Sequence, residues 1–261
     1  MHTKNKFTLS LRHAVLAVSA LACIVPATYA LAGSFDWVGG ERVQGSGNIK
    51  KQSRELGHFT GVSLSLPGNV ELRLGNTEGI TIETDDNLLP MIETTIENGV
   101  LKIRPLKRNA QLQTRHMKIV VNAKDIDRLA LSGSGSIDSD ALRGKKLHFD
   151  LGGSGSIKLK GMESETVSIS VGGSGNLTSG AGKANSLSVS IGGSGDVDVG
   201  QVQVSDASVK VAGSGTAVVW TSSRLSATIA GSGDVNYYGD PKVSHSVAGS
   251  GSTNRLGASP R

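Results

Sequence analysis

The stretches Leu151-Gly152-Gly153-Ser154-Gly155-Ser156-Ile157-Lys158-Leu159 and, one unit later, Val171-Gly172-Gly173-Ser174-Gly175-Asn176-Leu177-Thr178-Ser179 are two copies of one pattern. The triplet Gly-Ser-Gly begins at Gly133, Gly153, Gly173, Gly193, Gly213, Gly231 and Gly249, at spacings of 20, 20, 20, 20, 18 and 18. Apolar and polar residues alternate on both sides of each triplet, as in Leu147, Phe149, Leu151 before it and Ile157, Leu159 after it. A period of two is that of a strand with one buried face. Each repeat therefore reads as a strand, a tight glycine turn, a second strand and a variable loop.

Such a unit could form an antiparallel meander or a coil in which equivalent positions lie above one another. Matching residues by position favours the coil. One column runs Ile137, Ile157, Leu177, Val197, Ala217, Val235, and another Leu131, Leu151, Val171, Ile191, Val211, Ile229, Val247. In a stacked repeat each layer touches only its neighbours, so like residues recur at like positions. Seven turns predict a rod roughly 30 Å long at about 4.8 Å per layer. The turn glycines are Gly133 and Gly135, Gly153 and Gly155, Gly173 and Gly175, Gly193 and Gly195, Gly213 and Gly215, Gly231 and Gly233, and Gly249 and Gly251. Two reasons for glycine present themselves, a positive φ at the turn and the absence of room for a Cβ between layers. The shorter spacing of the last two repeats falls to the loops, as Arg143-Gly144-Lys145-Lys146 shortens to Ser222-Ser223-Arg224. Dense glycine and β-branched residues speak against helix.

Upstream, Val62, Leu64, Leu66 and Val70, Leu72, Leu74 alternate around the turn Pro67-Gly68-Asn69. A short helical turn can open at Asp85-Asp86-Asn87, and Asn98-Gly99 signals a hairpin. Residues 105–115 are polar and basic and read as a loop. The stretch 57–131 is predicted to be all-β and to close one end of the coil, since an uncovered end is an aggregation-prone strand edge. The repeat β-helix covers 132–256, residues 33–56 read as a flexible linker, and 257–261 as a tail. The fold class is thus all-β, a single-stranded β-helix preceded by a β cap.

Residues 1–32 have the pattern of an export signal. Lys4, Lys6 and Arg12 make a basic start, Ala14 to Val25 is apolar but short, and Ala30-Leu31-Ala32 precedes Gly33 at a small-residue cleavage site. The competing reading makes Cys23 of Ala20-Leu21-Ala22-Cys23 an acylated lipoprotein terminus, which would anchor the chain by lipid. Export across the inner membrane to the periplasm or cell surface follows in both cases. Loss of three basic residues leaves 24 basic against 22 acidic, near +2. With only 3% aromatic residues and no basic stripe, nucleic-acid binding is not expected. Cys23 is the only cysteine, so no intramolecular disulfide can form. No transmembrane helix is expected in the processed chain.

The run Asp85-Asp86-Asn87-Leu88-Leu89-Pro90, the following Glu97-Asn98-Gly99-Val100-Leu101-Lys102-Ile103-Arg104 and the serial Gly-Ser-Gly units together resemble the putative auto-transporter adhesin, head GIN domain family of bacterial envelope proteins. The similarity covers about residues 57–250. It implies a pectin-lyase-like superhelix whose triplets turn between two sheets, no conserved catalytic residues, and a role in cell adhesion.

The residues give chemistry little purchase. Gly192-Gly193-Ser194-Gly195-Asp196-Val197-Asp198 resembles a calcium-binding nonapeptide, yet Val197 stands where an aspartate is required, and the unit recurs at about twice the nonapeptide interval. A polysaccharide-cleaving site needs clustered carboxylates, whereas Asp196 and Asp234 share a column interrupted by Thr216, about 10 Å apart by layer spacing. Lys158, Lys160, Asp138 and Asp198 read as a solvated sheet face, and His58, His116, His148 and His245 are scattered. The serines Ser134 to Ser250 recur with the turn and have no histidine partner. No catalytic, metal or cofactor residues are assigned. The expectation is a non-enzymatic envelope protein that presents a β-helical surface to a glycan or another envelope protein. Its rivals are an assembly module that forms homo-oligomers through a coil end or flat side, and a polysaccharide-acting enzyme.

Overall fold

A computed structural model describes residues 41–261, so the export signal, the Cys23 alternative and the start of the expected linker lie outside the described residues. The chain is a continuous stack of parallel strands, a β-solenoid in which the seven Gly-Ser-Gly turns are joined by six full coils.

The columns read from sequence are columns in space. Ile137 pairs with Ile157, Ile157 with Leu177, Leu177 with Val197, Val197 with Ala217 and Ala217 with Val235, all in parallel register. The column from Leu131 through Leu151, Val171, Ile191, Val211 and Ile229 to Val247 is continuous in the same way. Each coil has three sides. The strand before the turn and the strand after it make two, and the first half of the ten-residue strands Leu142–Leu151, Met162–Val171 and Gly182–Ile191 makes the third. Their inward residues are almost all aliphatic, with Phe59 and Phe149 the largest fully buried side chains. Burial of whole columns at about 25 cal/mol per Å² is the main stabilising term in a chain this poor in rings. The buried Thr221 hydroxyl lies within hydrogen-bond reach of the Ser205 and Arg224 carbonyls, whereas that of Thr253, above Val235, has no partner among the described residues.

The shortening of the repeat occurs between the strands Val197–Gly213 and Thr216–Gly231. Val199 pairs with Val219 but Gln203 with Trp220, and Val204 pairs with Thr221 but Asp206 with Arg224. Three positions are lost at one corner and one regained at the next, so both flanking columns stay in register.

The triplet glycines are required chiefly by the layer below. A Cβ on Gly153, Gly173 or Gly193 would lie deep inside the van der Waals radius of the equivalent glycine carbonyl one coil down. On the third glycine, Gly155 for example, it would overlap the Gly135 carbonyl and the Leu131 side chain. Positive φ holds only at Gly213, Gly231 and Gly249 among the turn glycines, so torsional freedom accounts for the last three coils and close approach accounts for the series.

The N-terminal region does cover one end, but its layers are stacked out of chain order. The strands Gly61–Leu64 and Asn69–Leu74 form one layer, which lies between Arg128–Leu131 and Ser136–Ser139 on one side and Val100–Pro105 and Lys118–Ala123 on the other. Outside that last layer the pairing turns antiparallel. Ile92–Glu97 joins Val100–Pro105 through the Asn98-Gly99 hairpin, both of whose turn residues have positive φ. Gly79–Asp85 joins Lys118–Ala123, and Ile49–Glu55 joins Gly79–Asp85.

Three expectations are corrected. Within 33–56, the residues described are not a flexible linker: Arg42–Gln44 pairs in parallel with Gln111–Gln113, and Ile49–Glu55 is the outermost strand of the cap. The same pairing gives the expected loop 105–115 a three-residue strand. The helical turn near Asp85 forms one step later, as the 3-10 turn Leu89–Met91.

Candidate binding surface

The outward positions of the coil form polar columns. Before the turn, Ser168, Ser188, Ser208, Ser226 and Ser244 are in register, with Ser170, Ser190, Lys210, Thr228 and Ser246 two residues along. This face is flat, rich in hydroxyls and nearly free of charge. The triplet serines, from Ser134 to Ser250, follow one another along the edge of the sheet.

After the turn the outward face is charged at its capped end. A groove there is lined by Glu71, Arg73, Arg115, Lys118, Asp138, Asp140, Lys158 and Lys160, with the main chain of 69–72 and 116–117 beneath. Parallel register places Glu71, Asp138 and Lys158 in one row. Lys160 Nζ lies 2.7 Å from Asp140 Oδ1, which holds that carboxyl below its ordinary range and raises the lysine. Glu71 is lowered by its hydrogen bond to Arg73, 2.7 Å away, and is also 3.5 Å from Lys118. Among the described residues, Lys158 and Arg115 form no ion pair. Five cations thus face three carboxylates, and two of the cations have no charged partner in the groove.

The acids considered for catalysis and calcium serve the turn. Asp196 Oδ1 accepts the Thr216 amide at 2.9 Å, and Asp234 Oδ1 accepts the Ser252 amide at 2.9 Å. Asn176 Oδ1 accepts the Asp196 amide at 3.2 Å, so at Asn176, Asp196 and Asp234 this outward column caps the next layer with a side-chain oxygen. Asp198 Oδ1 accepts the Gly200 amide at 3.0 Å. The histidines are not gathered: His58 pairs with Glu78 at 2.7 Å and His116 with Glu83 at 2.8 Å, while His148 and His245 sit in different coils. Among the described residues, no group of three or more His, Cys, Asp or Glu is placed to hold a metal ion, and no helix is long and apolar enough to cross a membrane.

A second concavity follows a corner of the coil at the other end, along the column Leu187, Ala207, Leu225 and Val243, of which only Val243 is exposed, between a row of serines and a row that includes Asp206, Arg224 and Lys242. Arg224 and Asp206 bridge its rim at 2.8 Å.

Sequence reasoning missed the groove because its lining comes from strands far apart along the chain. A signal was nonetheless present. Pairing Ser136 with Asn69 puts Gly68 opposite Gly135 and Leu66-Pro67 opposite Gly133-Ser134, so Leu66-Pro67-Gly68 is a degenerate turn of the same series.

Parallel coils with polar outward columns and a charged groove define a β-solenoid. The family model described as putative auto-transporter adhesin, head GIN domain, matches residues 58–241, and the chain belongs to that family. No curated protein matches the sequence. Among solved structures, a putative adhesin from Bacteroides fragilis is similar at TM-score 0.77 and 18% identity, over 82% of this chain and 100% of that one. A putative lipid binding protein from Parabacteroides distasonis is similar at TM-score 0.67 and 24% identity, over 83% of this chain and 100% of that one. A putative adhesin from Parabacteroides merdae gives TM-score 0.62 at 20% identity, over 83% and 100%. At these identities the likeness is one of fold.

Proposed function

We propose that this chain is an exported envelope adhesin, without catalysis, that binds an acidic surface polysaccharide along the groove between Arg73 and Lys160. The carrying observation is that groove: Lys158 and Arg115 lack ion-pair partners there beside three cations held in place by Glu71 and Asp140. Cations fixed by carboxylates keep their geometry for an incoming acid group, and the hydroxyl columns on the neighbouring side of the coil offer hydrogen bonds to sugars at a constant layer interval. The processed chain is almost neutral overall, so attraction to acid polymers has to be local rather than a property of net charge. Binding is tested by passing the protein over immobilised acidic and neutral glycans. Retention on the acidic set alone, weakened at least tenfold by Lys158→Glu and by salt, is expected; equal behaviour toward both sets overturns the reading.

A lipid ligand is the second reading, favoured by the apolar column of Leu187, Ala207 and Leu225 that ends at the exposed Val243. It predicts that Val243→Glu abolishes uptake of a fluorescent fatty acid while glycan retention is unchanged. Failure to take up the fatty acid at all removes this reading.

A further inference from the structure

The two ends of the solenoid are finished differently. At the capped end the outermost strands are antiparallel, and one of them, Ile49–Glu55, carries Lys50, Lys51 and Arg54. At the other end Lys242–Gly249 pairs with Thr216–Gly231 on one side and, among the described residues, with nothing on the other. All eight of its residues are exposed. Val243 and Val247, which sit in the inward columns above Leu225 and Ile229, are 37% and 39% exposed. A strand in this state has a free row of amides and carbonyls, and its inward face of Val243, His245 and Val247, above Leu225, Ala227 and Ile229, has no layer over it.

The sequence of that strand is Lys242-Val243-Ser244-His245-Ser246-Val247-Ala248-Gly249, in which Val-Ser-His-Ser-Val reads the same in both directions. We infer that Lys242–Gly249 is the interface of a two-fold dimer, in which it pairs antiparallel with the same strand of a second copy, His245 opposite His245. That register places Val243 on Val247 and Ser244 on Ser246. Opposed residues of an antiparallel pair lie on the same side of the sheet, so the inward column Leu225, Val243 continues into Val247 and Ile229 of the second copy. Lys242 falls opposite Ala248, so no two like formal charges oppose one another. Pro241 precedes the strand and, having no amide hydrogen, ends the pairing there. A shift of the register by one residue would set inward valines against outward serines.

Symmetry also limits the assembly. The pairing uses the same patch on both copies and consumes it, while the capped ends present cationic antiparallel strands that do not complement it, so association stops at two. The pairing engages one terminal strand of each copy, a small interface, which makes the dimer a weak, micromolar one. The inference is independent of the glycan reading, whose groove lies at the capped end.

Sedimentation velocity over about 1 to 500 μM tests it. A reversible monomer–dimer equilibrium is expected, shifted at least tenfold toward monomer by His245→Lys with melting unchanged, since that side chain is exposed in the monomer. Register is tested by oxidative cross-linking in a Cys23→Ser background. His245→Cys should link to itself because residues directly opposite have Cβ atoms about 4.5–5.5 Å apart, and Val243→Cys should link only when mixed with Val247→Cys. A monomer throughout the range, growth beyond two copies, or self-linking of Val243→Cys overturns the inference.

Discussion

The Asp85 carboxylate accepts the amide of Gly47 at 2.6 Å, across 38 residues of sequence. It also takes the Thr114 hydroxyl, while Asp86 accepts the Ser46 hydroxyl at 2.6 Å and Asn87 Oδ1 the Ser46 amide at 2.9 Å. Asp85-Asp86-Asn87 thus clamps Gly45-Ser46-Gly47, the one triplet outside the repeat series. A Cβ on Gly45 would overlap the Asp85 carboxylate, and Gly47 has φ +85°. Asp85→Ala is expected to release residues 42–55, read as loss of amide-exchange protection in Ile49–Glu55 with the Gly-Ser-Gly coils unaffected.

The same clamp has a pH dependence. The Thr114 hydroxyl and the Gly47 amide hold the Asp85 carboxyl below its ordinary value, against burial and the neighbouring Asp86. A lowered folded-state pKa means that the contribution is complete above the unfolded value of about 3.9 and is lost as pH falls through the folded one. Exchange protection of Ile49–Glu55 should therefore be flat from pH 7 to about 4.5 and fall below about 3.9, with a smaller fall in Asp85→Asn, where only Asp86 of the clamp still titrates.

Gly152 and Gly153 are adjacent and should respond in opposite ways to alanine. Nothing lies within 4 Å of a Cβ on Gly152, whereas one on Gly153 runs into the Gly133 main chain. Gly152→Ala is expected to be neutral or to stabilise by up to about 1 kcal/mol through the unfolded chain. Gly153→Ala must push adjacent layers apart and should lower Tm by several degrees. Equal melting of the two variants would contradict the packing account of the turn.

Asp196 and Asp234 act as acceptors, for which charge is not needed. Asparagine keeps the oxygen and alanine removes it, so Asp196→Asn should melt close to wild type and Asp196→Ala should lose no more than about 1 kcal/mol. A ranking in which both variants lose equally would show that the carboxylate charge, rather than the cap on Thr216, is what matters.

Core truncations should grade along the rod. Ile157 is fully buried between Ile137 and Leu177, and Ile157→Ala is expected to cost about 2–5 kcal/mol. Val243 has a layer on one side only, so Val243→Ala should cost a fraction of that at concentrations where the chain is monomeric. Denaturant melts of the two variants give the comparison.

The coils were legible because their information is local and repeated. Each layer contacts the next through equivalent residues, so Leu151 and Val171 announce their pairing by similarity alone. The cap was legible only as strands. Ile49–Glu55 has no inward alternation, because its exposed face and its pairing with Gly79–Asp85 leave six of its seven residues exposed, and a polar run of this kind reads as linker. Its anchor is a set of hydrogen bonds to Asp85, Asp86 and Asn87, which no periodicity encodes. The groove was illegible for a related reason: Arg73, Lys118 and Lys160 meet through layer order, and that order departs from chain order.

That departure bears on the order in which the molecule assembles. The layer of Gly61–Leu64 and Asn69–Leu74 is the filling between later segments, so it stays half-wrapped until residues up to 139 are free to close over it. Growth of the remaining storeys can then run one way only, toward Gly249. Deletions from the C-terminal end should shorten the cylinder stepwise and leave a folded remainder, whereas removal of residues 100–123 should leave the early layer without one of its two slices and yield no protease-resistant product.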